Sequence, residues 1–111
     1  MTRFCFALDL VDDEVLIAEY EQWHSAENGW PEIKKSIVDA DIKDMEIYRT
    51  GNRLFMIMDA GDEYSRENKA IMDKANAKVL EWEKLMWKFQ QPLPWAKADE
   101  KWVLMKRIFK L

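Results

Sequence analysis

His24 is the one side chain in this sequence whose ordinary pKa suits proton transfer near neutrality, and it stands four residues after Tyr20. On a helix that spacing puts both side chains on one face. Trp23 and Trp30 flank the histidine, and Tyr48, Trp82 and Trp95 are further candidates for flat aromatic walls. Asp59, Glu83 and Gln90 are candidates for hydrogen bonds to a ligand. Aromatic faces with a few placed polar groups suit a neutral sugar, whose ring offers C–H faces and a rim of hydroxyls. Plainer readings stand beside these. A histidine near a helix end needs no function, and Trp82 and Trp87 sit in a regular helical pattern that a core would also produce.

Other chemistries find little support. Cys5 lies mid-strand with no activating neighbour and reads as a small packed side chain. One cysteine and one histidine leave no zinc ligand set and no disulfide framework, so neither a metal nor a cofactor is expected. There is no glycine-rich phosphate loop and no G-x-S-x-G elbow. Seventeen Lys and Arg against 21 Asp and Glu give a net charge of −4, without a basic run. Nucleic acid and anionic membranes are therefore not expected partners. No apolar run approaches the roughly 20 residues of a spanning helix. The N-terminus, with Arg3 and an early Asp9, does not read as a signal peptide. A reduced cytoplasm is the expected compartment.

The elements that must position these residues are legible in outline. At 111 residues the chain is expected to form a single domain over 1–111. Six tryptophans and seven methionines are many for so small an interior, so some should line a pocket or an interface. Residues 3–10 alternate, with Phe4, Phe6, Leu8 and Leu10 on one face, which predicts a strand. Asp12-Asp13-Glu14 suits a helix start, and Leu16, Tyr20 and Trp23 recur at helical spacing. Ser25 to Gly29 interrupt that helix, and Pro31 fits the first turn of the next.

Residues 44–49 and 53–60 predict two strands joined by Thr50-Gly51-Asn52. The run Leu54 to Met58 is apolar on both faces, so both should be covered, one by helices and the other by a second subunit. Residues 62–75 read as polar helix, and Asn76 should cap a further one whose Val79, Trp82, Met86 and Phe89 share a face. Pro92 and Pro94 end it, and residues 101–109 predict a last, two-sided apolar strand. The order β-α-β-β-α-β is the ferredoxin-like α+β arrangement, here expected in its dimeric α/β-barrel form.

Several segments together are similar to the L-rhamnose mutarotase family along nearly the whole chain. They are Arg3-Phe4-Cys5-Phe6-Ala7-Leu8, Tyr20 with His24, Trp30-Pro31-Glu32, Glu46-Ile47-Tyr48, Asn52-Arg53-Leu54-Phe55, Trp82 with Lys84 and Met86, and Ile108-Phe109. The resemblance implies a small homodimer that interconverts the α and β anomers of a 6-deoxy-L-sugar. It also implies that His24 is the proton-donating residue, that Tyr20 contacts the sugar, and that Trp82 begins a sugar-contacting pair. Where the family pattern has a tyrosine, this chain has Met45, and where it has a second tryptophan, this chain has Glu83. The segment between His24 and Trp30 is also two residues longer. The stretch Glu81-Trp82-Glu83 through Phe89-Gln90-Gln91-Pro92-Leu93-Pro94-Trp95 resembles a branch associated with L-fucose.

Mutarotation needs one proton at the ring oxygen and one removed from the anomeric hydroxyl, without metal or cofactor. The resemblance makes His24 the catalytic acid at the ring oxygen. With the aromatic candidates added, Tyr20, Met45, Tyr48, Trp82, Glu83 and Trp95 are the expected substrate-binding set, Tyr20 orienting the sugar or relaying the proton and Glu83 bonding hydroxyls or acting as the base. Two other readings are a non-catalytic, sugar-binding dimeric module and a cofactor-free oxygenase of the same architecture. The first predicts saturable binding without faster anomer exchange. The second predicts an apolar aromatic substrate and oxygen uptake.

Overall fold

The computed structural model describes all 111 residues. In chain order the elements are β1 (Thr2–Leu10), α1 (Glu14–Trp23), α2 (Pro31–Asp39), β2 (Ile42–Thr50), β3 (Arg53–Ala60), α3 (Arg66–Lys74), α4 (Ala77–Trp87), β4 (Gln90–Gln91) and β5 (Val103–Leu104). The sheet runs β2-β3-β1, with β4 and β5 both on the free side of β1, and every pairing is antiparallel. Each of the two helical regions is split in two at the break expected from the sequence, and the ferredoxin-like order is the one observed. No helix is long and apolar enough to cross a membrane.

Local chemistry accounts for the breaks. Asp13 caps α1 by accepting from the Val15 and Leu16 N–H groups at 3.0 Å. His24 is the residue that ends α1. Pro31 opens α2, where its missing N–H costs nothing. Asn76 caps α4 by accepting from Lys78 and Val79, as its position in the sequence suggested. Gly51, at φ 55°, supplies the left-handed turn between β2 and β3.

Register assigns the sheet faces. Phe6 pairs with Met56, Leu8 with Leu54, and Met45 with Met58, and these face the helices. Leu8, Leu10 and Phe89 are fully buried. Phe89 meets Tyr20 edge to face, with ring centroids 6.0 Å apart, so the end of α4 locks the middle of α1 onto the sheet. Burial of side chains this size stabilises by about 1.5–3 kcal/mol each.

The opposite face carries Arg3, Cys5 and Asp9 from β1 beside Arg53, Phe55, Ile57 and Asp59 from β3. Cys5, Phe55 and Ile57 are half-buried there. Buried Asp9 receives Arg53 through two hydrogen bonds, 2.7 and 3.2 Å. Asp59, a candidate ligand contact by sequence, is instead tied to Arg3 on this face.

The last strand is far shorter than residues 101–109. Only Val103 and Leu104 pair, opposite Ala7 and Phe6, followed by one bond from the Met105 N–H to the Cys5 carbonyl. Alternation alone does not make a strand; a neighbour must accept its hydrogen bonds. Beyond Met105 the chain leaves β1, and Ile108 and Phe109 are 90% and 76% exposed.

Candidate active site

A cleft of about 770 Å³ opens between the helices and the sheet, within the ~300–1,000 Å³ usual for small-molecule sites. Phe6, Met45, Met56 and Met58 form its floor, and the end of α1 supplies Tyr20 and His24. Trp30 at the start of α2 and Trp82 and Glu83 of α4 form the opposite wall. The wall is largely apolar, and its polar groups, among them Tyr20, His24, Glu83 and Gln90, come from several elements.

Trp82 is the hub of the aromatic wall. Its ring meets His24 at 5.5 Å, Trp30 at 5.2 Å and Trp23 at 6.4 Å, all at steep angles. Such edge-to-face contacts fix ring orientation beyond simple burial. The wall forms because Trp82 falls on the same side of α4 as buried Val79 and Met86.

Tyr20 and His24 lie one helical turn apart, their rings in contact at a 40° tilt with centroids 4.4 Å from each other. His24 Nδ1 lies 2.8 Å from the Tyr20 carbonyl oxygen. Although the residue keeps an exposed edge, its ring is packed between Tyr20 and Trp82. That desolvation lowers its pKa below the ordinary value, and the hydrogen bond to the carbonyl only partly opposes the shift. Tyr20 is 3% exposed. Burial pushes its pKa up to about 12, with the hydrogen bond from Gln90 pulling the other way. The Gln90 side-chain amide donates to the Tyr20 hydroxyl at 3.3 Å.

The structure brings together Tyr20, His24, Met45, Trp82 and Glu83 from the expected set. Glu83 lies on the cleft wall without an ion-pair partner in the chain. Tyr48 and Trp95 do not join them. Tyr48 pairs with Phe55 and donates to Glu46 on the far face of the sheet. Trp95 lies outside the regular strands, and its ring sits 5.1 Å from the Arg53 guanidinium, also on that far side. Trp23, Trp30, Met56 and Met58 line the cleft without having been expected there. The tryptophans had a signal, since both flank His24 in the sequence. Gln90, named as a hydrogen-bonding candidate, is the buried amide that contacts Tyr20. No cluster of three or more His, Cys, Asp or Glu side chains is placed to hold a metal ion.

Fold and cleft together define an α+β, ferredoxin-like domain with a tyrosine–histidine pair set in an aromatic-walled cleft. Residues 3–111 match the L-rhamnose mutarotase family. The chain belongs to that family. It is 45% identical, over 111 residues, to an L-fucose mutarotase of Xanthomonas campestris, covering 100% of this chain and 89% of that protein. Among solved structures it superposes on an L-rhamnose mutarotase from Formosa agariphila with a TM-score of 0.71 at 20% identity, covering 100% and 99% of the two chains. It also superposes on tetracenomycin F2 cyclase from Streptomyces glaucescens with a TM-score of 0.62 at 10% identity, with the same coverage. These two similarities speak for the fold.

Proposed function

We propose that this chain is a mutarotase that interconverts the α and β anomers of a 6-deoxy-L-hexose, with L-fucose the favoured sugar. The observation that carries the reading is the Tyr20–His24 pair, with ring centroids 4.4 Å apart in a cleft walled by Trp30 and Trp82. Indoles and methionines suit the C–H face and 6-methyl group of a deoxy sugar. The polar groups along the cleft, Glu83 and Gln90 among them, suit its hydroxyls and the two protons that must move. The preference for L-fucose is supported by the similarity to the Xanthomonas protein and by Met45 and Glu83, both of which line the cleft. His24 is the acid–base residue of the reaction, and Tyr20, Met45, Trp82 and Glu83 are the sugar contacts.

The same reading includes a homodimer. Half-buried Phe55, Ile57 and Cys5 on the far sheet face, and the exposed Ile108, Phe109 and Leu111 beyond it, are apolar surface that a second copy would cover. Tyr48 and Trp95 would then serve that contact rather than the sugar. A cytoplasmic setting fits the chain's single cysteine.

Saturation transfer between the α and β anomeric protons of L-fucose tests the activity. The protein is expected to speed exchange. Saturable sugar binding without faster exchange would mark a sensor instead.

A further inference from the structure

The contacts of Tyr20 and His24 dictate which way each can pass a proton. A carbonyl oxygen only accepts, so the His24 Nδ1 that faces the Tyr20 carbonyl at 2.8 Å carries the hydrogen. Nε2 has no partner within the chain, and in the neutral ring it is a bare lone pair. Tyr20 is the mirror case. Its buried hydroxyl accepts from the Gln90 amide and donates to no group of the protein. A buried O–H that is held by an incoming hydrogen bond, with its own hydrogen unspent, is a donor reserved for whatever fills the cleft.

We propose that Tyr20 gives the proton to the sugar ring oxygen, that His24 Nε2 takes the proton of the anomeric hydroxyl, and that Gln90 is the positioning residue that keeps Tyr20 a donor. This rests on the mutarotase reading and sets its direction. On opening, the anomeric O–H proton goes to Nε2 and its electron pair becomes the second C–O bond. The bond from the anomeric carbon to the ring oxygen breaks, and that oxygen takes the Tyr20 proton. An imidazolium and a phenolate remain side by side, with the Gln90 amide hydrogen-bonded to the phenolate oxygen. After the carbonyl turns over, closure returns both protons, so His24 donates in the closing half.

The neutral imidazole that the proposal needs is the form favoured by packing against Tyr20 and Trp82. The other ionisable groups around the cleft are Glu83 on α4, Lys34 on α2, Lys101 ahead of β5, Lys43 and Asp44 on β2, and the Lys69–Asp73 pair on α3.

The test is catalysed anomer exchange of L-fucose from pH 8 to 5, with the spontaneous rate subtracted, in wild type, Glu83→Gln, Gln90→Leu and Gln90→Glu. The wild-type rate is expected to fall as acid protonates Nε2, and Glu83→Gln is expected to keep that acid limb. Gln90→Leu and Gln90→Glu are each expected to lower kcat by about 10- to 100-fold with KM within threefold. The carboxylate would accept the Tyr20 hydrogen and hold it from the sugar. In a Tyr20→Phe background, Gln90→Leu should cost nothing more. A wild-type rate that rises as pH falls through this range would overturn the direction. So would loss of the acid limb in Glu83→Gln, or full activity in Gln90→Glu. No acceleration by the wild-type chain at any pH, with L-fucose or L-rhamnose, would overturn the mutarotase reading itself, and this proposal with it.

Discussion

The indole of Trp82 meets the imidazole of His24 edge to face, at 68° and 5.5 Å between centroids. One side chain thus does two jobs. It walls the cleft with apolar surface, and it packs against the ring whose desolvation lowers its pKa. A residue that first reads as core packing is in this way coupled to the proposed chemistry.

His24→Gln should lower catalysed anomer exchange by roughly 10²- to 10⁴-fold, the usual worth of a positioned acid–base group. The amide can still bond the Tyr20 carbonyl, so the fold and the sugar affinity should survive. Circular dichroism and a binding titration check both. Retention of wild-type exchange in a folded variant would remove His24 from the reaction.

Glu83 lies on the cleft wall beside Trp82, where a carboxylate can accept from sugar hydroxyls. Hydrogen bonds to charged groups contribute about 1.5–3 kcal/mol. Glu83→Gln should therefore lower kcat/KM for the preferred sugar by about 10- to 100-fold. Met45→Tyr with Glu83→Trp should shift preference toward L-rhamnose. An unchanged ratio of the two sugars in the double variant would show that selectivity lies elsewhere.

Tyr20 also links stability to alkaline pH. Its folded-state pKa, about 12, lies above the ordinary 10, because burial opposes the phenolate. The stabilisation this represents is full below pH 10 and is lost as pH rises through about 12, roughly 3 kcal/mol in all. Urea titrations at pH 8, 10 and 11.5 should show Tyr20→Phe losing stability with pH less steeply than wild type. Parallel curves for the two proteins would contradict the burial account.

The exposed tail and half-buried far face predict assembly. Light scattering at micromolar concentration should give twice the 13.3 kDa chain mass. Removal of residues 106–111, which takes away Ile108, Phe109 and Leu111, should weaken that assembly. A wild-type monomer would mean that the sheet's far face needs no cover.

Tyr20 and His24 were legible as a pair because a four-residue spacing on a helix is a geometric statement, and a helix forms there. The alternation of residues 3–10 likewise carried both the strand and its core face. Tyr48 was misplaced although its signal was present. On a strand of two-residue period, Met45 and Tyr48, three apart, point to opposite faces, so they do not share one cleft. Trp95 had no such signal. It lies among turns after Pro92 and Pro94, where no period fixes a direction, and its place follows from Arg53 on another strand. The overlong final strand shares that cause, since only a neighbour's hydrogen bonds decide where pairing stops. The contact of Gln90 with Tyr20 spans 70 residues and was beyond any local pattern.

The most direct test of the central claim is saturation-transfer NMR with L-fucose and L-rhamnose in parallel, using wild type and His24→Gln. The account predicts faster α–β exchange of L-fucose with wild type, weaker acceleration with L-rhamnose, and near-spontaneous rates with the variant. Folded wild-type protein that leaves both sugars at their spontaneous rates would contradict it.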